Sequence, residues 1–428
     1  MIGTGIDASP WAAHDPVLPG RFRVGSAAAA CVHATTQAAA DLFAARGGDP
    51  GPVSVDVRHA AAHFRSERYL RVDGEPAGGE DPLTGNYKAA DGWVRLHCNY
   101  PHHRDAAMQV VGTDFAAGVA SRKAIDVEQA VVAAGGAAAA QRSREEWAAH
   151  PQGIALRRLP LLSIEQIGDA PPIQLSKADR PLSGVRVLDM THVIAGPVCG
   201  RTLAAHGADV LHVGAEHLPV VRPILLDTQF GKRSTFIDLR TAEGADTLRA
   251  LVRADADVFI ESFRPGSLAA KGFGPADLAA MRPGIVVVEI SAWGWEGPWR
   301  TRRGFDSLAQ LASGIAAGDP PVPLPAQFLD HGTGWLAAYG VLTALRRRME
   351  TGGSWLVKVA LARTGLWLDE LGKTEVNGKR LIVDDLLTTT PSPFGLLTHI
   401  RMPGSLPGAQ PNWAHGSPVP GSAKPEWW

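Results

Sequence analysis

The second half of this sequence predicts an α/β fold built on a mostly parallel sheet with helices on both faces. Two observations carry that expectation. From Leu182 onward, short apolar runs of strand length alternate with helical patterns. Gly- and Pro-containing turns punctuate the passages between them, as parallel strands joined by crossover helices require. Val185 to Met190 reads as the first strand, and Ala195-Gly196-Pro197 turns into a helix ending near His206-Gly207. Asp209 to Val213 is the second strand and Thr235 to Leu239 the third, followed by a helix over Thr241 to Ala254. Asp257 to Glu261 is the fourth, with a Pro265-Gly266 turn and a helix to Met281, and Ile285 to Ile290 is the fifth.

The earlier part reads differently. Residues 1–22 are punctuated by Pro and Gly and are expected to wrap over other structure. Residues 24–46 form an Ala-rich helix closing at Arg46-Gly47-Gly48, and Val53 to Val57 alternates as a strand. Asn86 to Lys88 and Trp93 to His97, joined through Asp91-Gly92, read as a hairpin. Residues 103–149 carry helical patterns, including the Ala-rich run 129–140, and the Pro-rich stretch 168–183 reads as a linker. Val376-Asn377-Gly378-Lys379 marks a hairpin turn, and beyond Pro391 an extended Pro/Gly-rich tail is expected. The chain therefore divides into an N-terminal segment (1–74), a small domain (75–176), a sheet domain (177–370) and a tail (371–428).

Length and composition exclude several classes. The 428 residues suggest two or three domains, and 45% hydrophobic content is ample for a core. With 42 basic and 43 acidic residues, no global field recruits nucleic acid or an anionic membrane. The three cysteines, Cys31, Cys98 and Cys199, are far apart and odd in number, which argues for a reducing compartment. The start lacks a basic and apolar signal pattern, and no apolar run reaches the ~18 residues of a membrane span. A cytoplasmic protein is expected.

The stretch Phe328 to Ala362 is the chemical candidate. Asp330 precedes a glycine-rich turn, His331-Gly332-Thr333-Gly334, and an apolar helix from Trp335 to Leu345. Arg346-Arg347-Arg348 and Gly352-Gly353 give the stop signals. Asp330 thus stands at a helix N-terminus, where the dipole favours its anion and a carboxylate can act as a nucleophile. A plain N-cap is the alternative reading. Residues 28–57 can be laid on 330–359: Arg46 falls on Arg348, Val55 on Val357, and Ala28 opposite Asp330. The first copy keeps the helix pattern without the acid.

From Pro181-Leu182-Ser183-Gly184-Val185 through Ala195-Gly196-Pro197, the sequence resembles class III CoA-transferases of the CaiB/BaiF, formyl-CoA transferase-like type. Further segments follow in register: Gly207-Ala208-Asp209-Val210, Lys232-Arg233-Ser234 with Asp238-Leu239, Glu261-Ser262-Phe263-Arg264-Pro265-Gly266, Gly294 with Gly297-Pro298, and the Asp330 stretch. The resemblance implies a Rossmann-like large domain plus a smaller α+β domain, with two chains interlocked as a homodimer. Residues 82–176 resemble the family's small-domain half, which normally follows the nucleophile helix, so the segment order is rearranged.

What the resemblance implies chemically is transfer of CoA from an acyl-CoA to a free carboxylic acid. Asp330 is the implied nucleophile, passing through an aspartyl anhydride and an aspartyl-CoA thioester. Gly332 and Gly334 are candidates for close backbone approach at the oxyanion, and Gly78-Gly79 for a covering loop. Val193, Ile194, Lys232, Ser262, Phe263, Arg303, Phe305 and Asp306 match CoA-contacting positions. Without the resemblance, Lys232 and Arg303 read equally as solvated surface and Phe263 as core. CoA enters as substrate, and no permanently bound cofactor is expected. Ile194, Gly231 and Gly214-Ala215 depart from the family's polar or charged residues. No GxGxxG lies in 185–207, which argues against NAD, and no GxSxG supports a hydrolase. His97, His102 and His103 lack a convincing metal-ligand set. Trp293-Gly294-Trp295 reads as acyl-pocket lining or as packing. An acyl-CoA racemase of the same fold is disfavoured because Phe305 stands where that chemistry needs a histidine. A CoA-binding or subunit-stabilising protein without catalysis is the alternative from another class.

Overall fold

The computed structural model describes residues 6–376 and 380–427. A seven-stranded sheet dominates, in the order β6-β12-β11-β10-β7-β8-β9. Its strands are β6 (Leu162–Gly168), β7 (Arg186–Met190), β8 (Asp209–Gly214), β9 (Lys232–Phe236), β10 (Val258–Glu261), β11 (Val286–Ser291) and β12 (Ser354–Ala360). All pairings are parallel except the edge pair β12/β6. β7 to β9 step one way along the sheet and β10 to β12 the other. The chain thus reverses direction between β7 and β10, and a crevice is expected at the carboxyl ends there. The mixed α/β expectation from the alternating apolar runs holds.

The third strand begins three residues earlier than its expected start at Thr235. Lys232 and Arg233 hid that start. Both are buried in ion pairs, Lys232 with Asp189 at 2.7 Å and Arg233 with Asp209 at 2.9 Å. Buried charges of this kind need such partners.

The N-terminal half contributes helices α1 (Val24–Ala45), α2 (Val57–His63) and α3 (Ser66–Tyr69), then short strands β1 (Arg71–Val72) and β2 (Glu75–Pro76). The expected strand over Val53 to Val57 is reduced to one bridge, Ser54 to Ser405. Asp56 ends it by accepting the Arg58 N–H at 2.8 Å and capping α2. The expected hairpin is β3 (Gly85–Lys88) paired with β4 (Trp93–Leu96), and β5 (Ala138–Ala140) adds a third strand. Over these pack α4 (Pro101–Val111), α5 (Phe115–Ala120) and α6 (Ala124–Ala133) around their own apolar cluster. The run 129–140 is thus not all helix. Gly135, at φ +86°, and Gly136 stop α6, and Ala138–Ala140 pair with β4. Helices α7 (Arg144–Ala149) and α8 (Pro151–Arg158) then lead to β6.

Helices α9 (Ala195–Ala205), α10 (Arg222–Thr228), α11 (Ala242–Arg253) and α12 (Pro275–Met281) join the parallel strands, and α13 (Asp306–Ala312) precedes α14 (Phe328–Thr351) and α15 (Leu361–Glu370). The tail is not wholly extended. Leu387–Ser392 (β13) and Gly395–Ile400 (β14) form a hairpin, and β14 pairs with β1 from the N-terminal segment. The anticipated turn at 376–379 falls largely outside the described residues.

Helix α1 lies along α14. Thr35 donates from Oγ1 to the Trp335 carbonyl at 3.1 Å, and Asp41 pairs with Arg346 at 3.6 Å. Contacts advance together along both helices, so they run in the same direction with matching positions side by side. Arg46 and Arg348, aligned by the repeat, are both buried at helix ends. Arg46 donates to the Ser176, Pro181 and Ser183 carbonyls, and Arg348 to Asp257 and the Gly284 carbonyl.

Candidate active site

Asp330 is not the residue before its helix but the third within it. Helix α14 begins at Phe328, and the expected turn His331 to Gly334 is helical. Two helical glycines cost about 1 kcal/mol each relative to alanine, which is why the pattern reads as a turn. Packing reverses the preference. A Cβ on Gly334 would meet the Ala195 carbonyl oxygen at 2.5 Å and Val198 at 2.8 Å, and one on Gly332 would meet Thr364 at 3.0 Å. These glycines let α14 lie close against α9 and α15. Their N–H groups stand in the second turn, inside the i→i−4 ladder. They are not the free oxyanion donors that were expected. Gly78 stands against Pro223 and lines no part of the cavity described next.

A cavity of about 490 Å³ opens at the carboxyl ends of β7, β10, β11 and β12. Among its walls are Val193, Ser262, Phe263, Arg303, Phe305 and Asp330. Six of the eleven expected site residues therefore come together. Ile194, Lys232, Asp306, Gly332 and Gly334 do not line it. Ile194 is buried at the start of α9. Lys232 is wholly buried, donating to Asp189 at 2.7 Å and to the Pro197 carbonyl at 2.9 Å. It braces the turn between β7 and α9 rather than reaching a ligand.

Asp306 acts from behind the cavity wall. Its Oδ2 accepts the Asp330 backbone N–H at 3.1 Å, and Gln310 donates to its Oδ1. It thereby satisfies one of the orphan donors that open α14. Burial pushes its carboxyl up to about 6.

The Asp330 side chain is 6% exposed, and among the described residues none donates a hydrogen bond to it. Its carboxyl is pushed well above the ordinary range, first by burial, then by the neighbouring charges of Asp306 and Glu67. Desolvation and like charge thus outweigh the dipole of α14. Next to it, buried His331 meets Glu67 of α3 at 3.1 Å through Nε2. Burial alone would raise Glu67, but the hydrogen bond and charge of His331 bring it below the usual range.

At the mouth, Arg264, Arg300 and Arg303 have no acidic partner at ion-pair distance among the described residues. Arg302 is committed: it pairs with Glu128 at 3.1 Å and lies over the Trp299 ring. Val193 holds φ +69°, a conformation unfavourable for a β-branched residue, in the turn where the cavity meets α9. Beside it, burial lowers the His192 imidazole to about 4.

Tyr100, His102, His103, His192, Arg264 and Arg300 line the cavity but did not stand out as ligand-binding residues. Arg264 sits inside a recognised motif, and His192 adjoins Val193. His102 and His103 drew notice only as metal ligands. Among the described residues no group of three or more His, Cys, Asp and Glu could hold a metal ion. His97 instead stacks on Phe305 at 3.6 Å. Trp293 packs with Trp147 and Trp299, and neither Trp293 nor Trp295 lines the cavity, so the pair reads as packing.

A doubly wound sheet with a crevice at its switch point, walled in part by arginines and by Asp330, defines the class of fold: a mostly parallel α/β protein. Residues 182–375 match the model of CoA-transferase family III. A probable fatty acyl-CoA transferase of Mycobacterium tuberculosis is 34% identical over 204 residues, 44% of this chain and 52% of that protein. The beta subunit of a Chloroflexus aurantiacus succinyl-CoA–L-malate CoA-transferase is 36% identical over 199 residues, 42% of this chain and 49% of its own. A solved CAIB/BAIF family protein from Brucella suis shares 28% identity, with a TM-score of 0.41 over 51% of this chain and 65% of that one. The chain spans about half the length of the curated relatives it matches.

Proposed function

We propose that this protein is a CoA-transferase that moves CoA from an acyl-CoA donor to a free carboxylic acid, with Asp330 as nucleophile. The observation that carries the reading is Asp330 itself: a carboxyl that accepts no hydrogen bond among the described residues, in the wall of the same cavity as Arg264, Arg300 and Arg303, which have no acidic partner among them. The family match over 182–375 supports it.

The reaction follows from the groups present. An Asp330 oxygen attacks the thioester carbonyl, the C–S bond breaks, and the electron pair leaves with CoA thiolate. The product is a mixed anhydride, which keeps the acyl group activated. The thiolate then attacks the aspartyl carbonyl and expels the donor's carboxylate, leaving an aspartyl-CoA thioester. The acceptor carboxylate attacks that thioester and releases the thiolate. The thiolate finally takes the acceptor's acyl group from the second anhydride and frees Asp330. A poorly solvated carboxylate is a stronger nucleophile than a hydrated one, provided enough of it is ionised. Arg264, Arg300 and Arg303 hold the CoA phosphates, with Val193, Ser262, Phe263 and Phe305 along the ligand.

The same reading includes two interlocked chains and a cytoplasmic setting. Among the described residues no helix is long and apolar enough to cross a membrane. The three cysteines are free and buried.

Incubating the protein with a panel of acyl-CoA donors and free acids, then adding hydroxylamine, tests the proposal. Wild type should yield a hydroxamate at Asp330 and exchange CoA between acids, while Asp330→Ala should do neither. Exchange by the alanine variant at the wild-type rate ends the reading. CoA binding without any Asp330 adduct would favour the non-catalytic alternative.

A further inference from the structure

The oxyanion is the unmet need of this site. Each attack moves a carbonyl electron pair onto oxygen, and that charge requires hydrogen-bond donors placed in advance. The helical glycines have spent theirs. The stretch Tyr100-Pro101-His102-His103 stands in the right place. Tyr100 immediately precedes α4, and His103 is in its first turn, so the positive end of an eleven-residue helix lies at the cavity. His103 is 4% exposed and lines the cavity; its Nδ1 is sealed inside the protein, and its Nε2, with no hydrogen-bond partner among the described residues, is the nitrogen left to face the cavity. The Tyr100 hydroxyl meets no partner among the described residues, and it feels the charge of Asp330.

The ring contacts fix these groups against the nucleophile's own support. Tyr100 and His103 meet edge to face at 5.5 Å. Both abut Phe305, at 6.2 and 5.7 Å between ring centroids. Phe305 is followed by Asp306, which accepts the Asp330 N–H. His192, another cavity histidine with an unpartnered ring nitrogen among the described residues, packs edge-on against Phe263 instead.

Resting on the transferase reading, we infer that Tyr100 and His103 are further catalytic residues, the side-chain donors that stabilise the oxyanion formed when Asp330 attacks. His103 serves as a neutral imidazole: an N–H is shared with the oxyanion and no proton is transferred. The surroundings support neutrality. His97, His102 and Arg303 crowd the ring, and burial together with His102 and Arg303 lowers it to about 3. Burial, then Asp330, raises the Tyr100 hydroxyl to about 12, so it remains a donor.

The test compares His103→Ala, His103→Gln and Tyr100→Phe with wild type and Asp330→Ala. CoA affinity, hydroxylamine trapping and exchange rate are measured from about pH 6 to 9. Removing one oxyanion donor should cost roughly 10²–10³-fold in rate. His103→Ala and Tyr100→Phe should show that loss with CoA affinity kept within about twofold. His103→Gln, which keeps an N–H, should recover most of it. The loss in His103→Ala should not vary with pH. Wild-type trapping rates in both Tyr100→Phe and His103→Gln, alongside no rescue difference between His103→Gln and His103→Ala, would overturn the inference while leaving Asp330 in place. A loss confined to one protonation state would overturn it too, since His103 would then be exchanging a proton. Activity in Asp330→Ala would instead remove the transferase reading itself. Should His103→Ala not fold, Tyr100→Phe and His103→Gln decide between these outcomes.

Discussion

The Asp306 carboxylate accepts the Asp330 backbone N–H at 3.1 Å, so one acid caps the helix on which the other acts. The two roles of Asp306 separate by substitution. Asp306→Ala removes the cap and should destabilise the protein by roughly 0.5–2 kcal/mol, read as a lower denaturation midpoint at unchanged slope. Asp306→Asn keeps an acceptor and removes the charge. Because that charge helps hold the Asp330 carboxyl high, the acid limb of the exchange rate should move to lower pH. An unmoved limb would mean that Asp306 is only a cap.

Asp330 itself should trade stability for function. Its carboxyl is raised in the fold above the ordinary 3.8. At low pH it is protonated whether folded or unfolded, and contributes no difference. As pH rises past 3.8, the unfolded chain ionises freely while the folded one ionises only at a cost. Stability is therefore lost progressively as pH rises towards the folded-state value. Asp330→Asn should be inactive yet more stable at neutral pH, by about 1–2 kcal/mol. The gain should fade below about pH 4. Thermal melts at pH 4 and pH 7.5 give the comparison, and an equal gain at both sinks the argument.

Legibility followed what each residue had to contend with. The apolar strands β7, β10 and β11 were readable because burial on both faces demands apolar residues. The start of β9 was not, because charges paired from β7 and β8 made buried positions look exposed. The β13–β14 hairpin was missed because its partner, β1, lies more than three hundred residues away in sequence. Asp330 was findable as an isolated acid before glycines. Its raised acidity was not, since the charges beside it arrive from α3 and α13. The donors Tyr100 and His103 were visible as letters, but which wall they join is a matter of packing.

Lys232 is where the matched motif and the structure part. As a phosphate contact, its loss should weaken CoA binding and leave the fold intact. As the buried partner of Asp189, its loss strands a carboxylate in the interior. Lys232→Ala should cost about 3–5 kcal/mol. Denaturant titration measures this, with CoA affinity of the folded fraction as the control. Weakened binding at full stability would restore the contact role.

Gly334 tests whether close approach of two helices sets the position of the site. A methyl group there meets the Ala195 carbonyl oxygen at 2.5 Å. That atom is backbone, so it yields only if the start of α9 moves. The same turn carries Val193 and borders the cavity. Helix propensity alone says that Gly334→Ala should stabilise α14 by about 1 kcal/mol. Overpacking says the opposite, typically a loss of 1–3 kcal/mol. The clash should win, because the methyl meets a backbone carbonyl that cannot swing aside as a side chain would. The variant should melt lower and bind CoA more weakly, with the nucleophile chemistrically intact at saturating donor. A higher melting temperature with unchanged CoA affinity would show that α9 and α14 have room to part, and that the second glycine of this helix is dispensable.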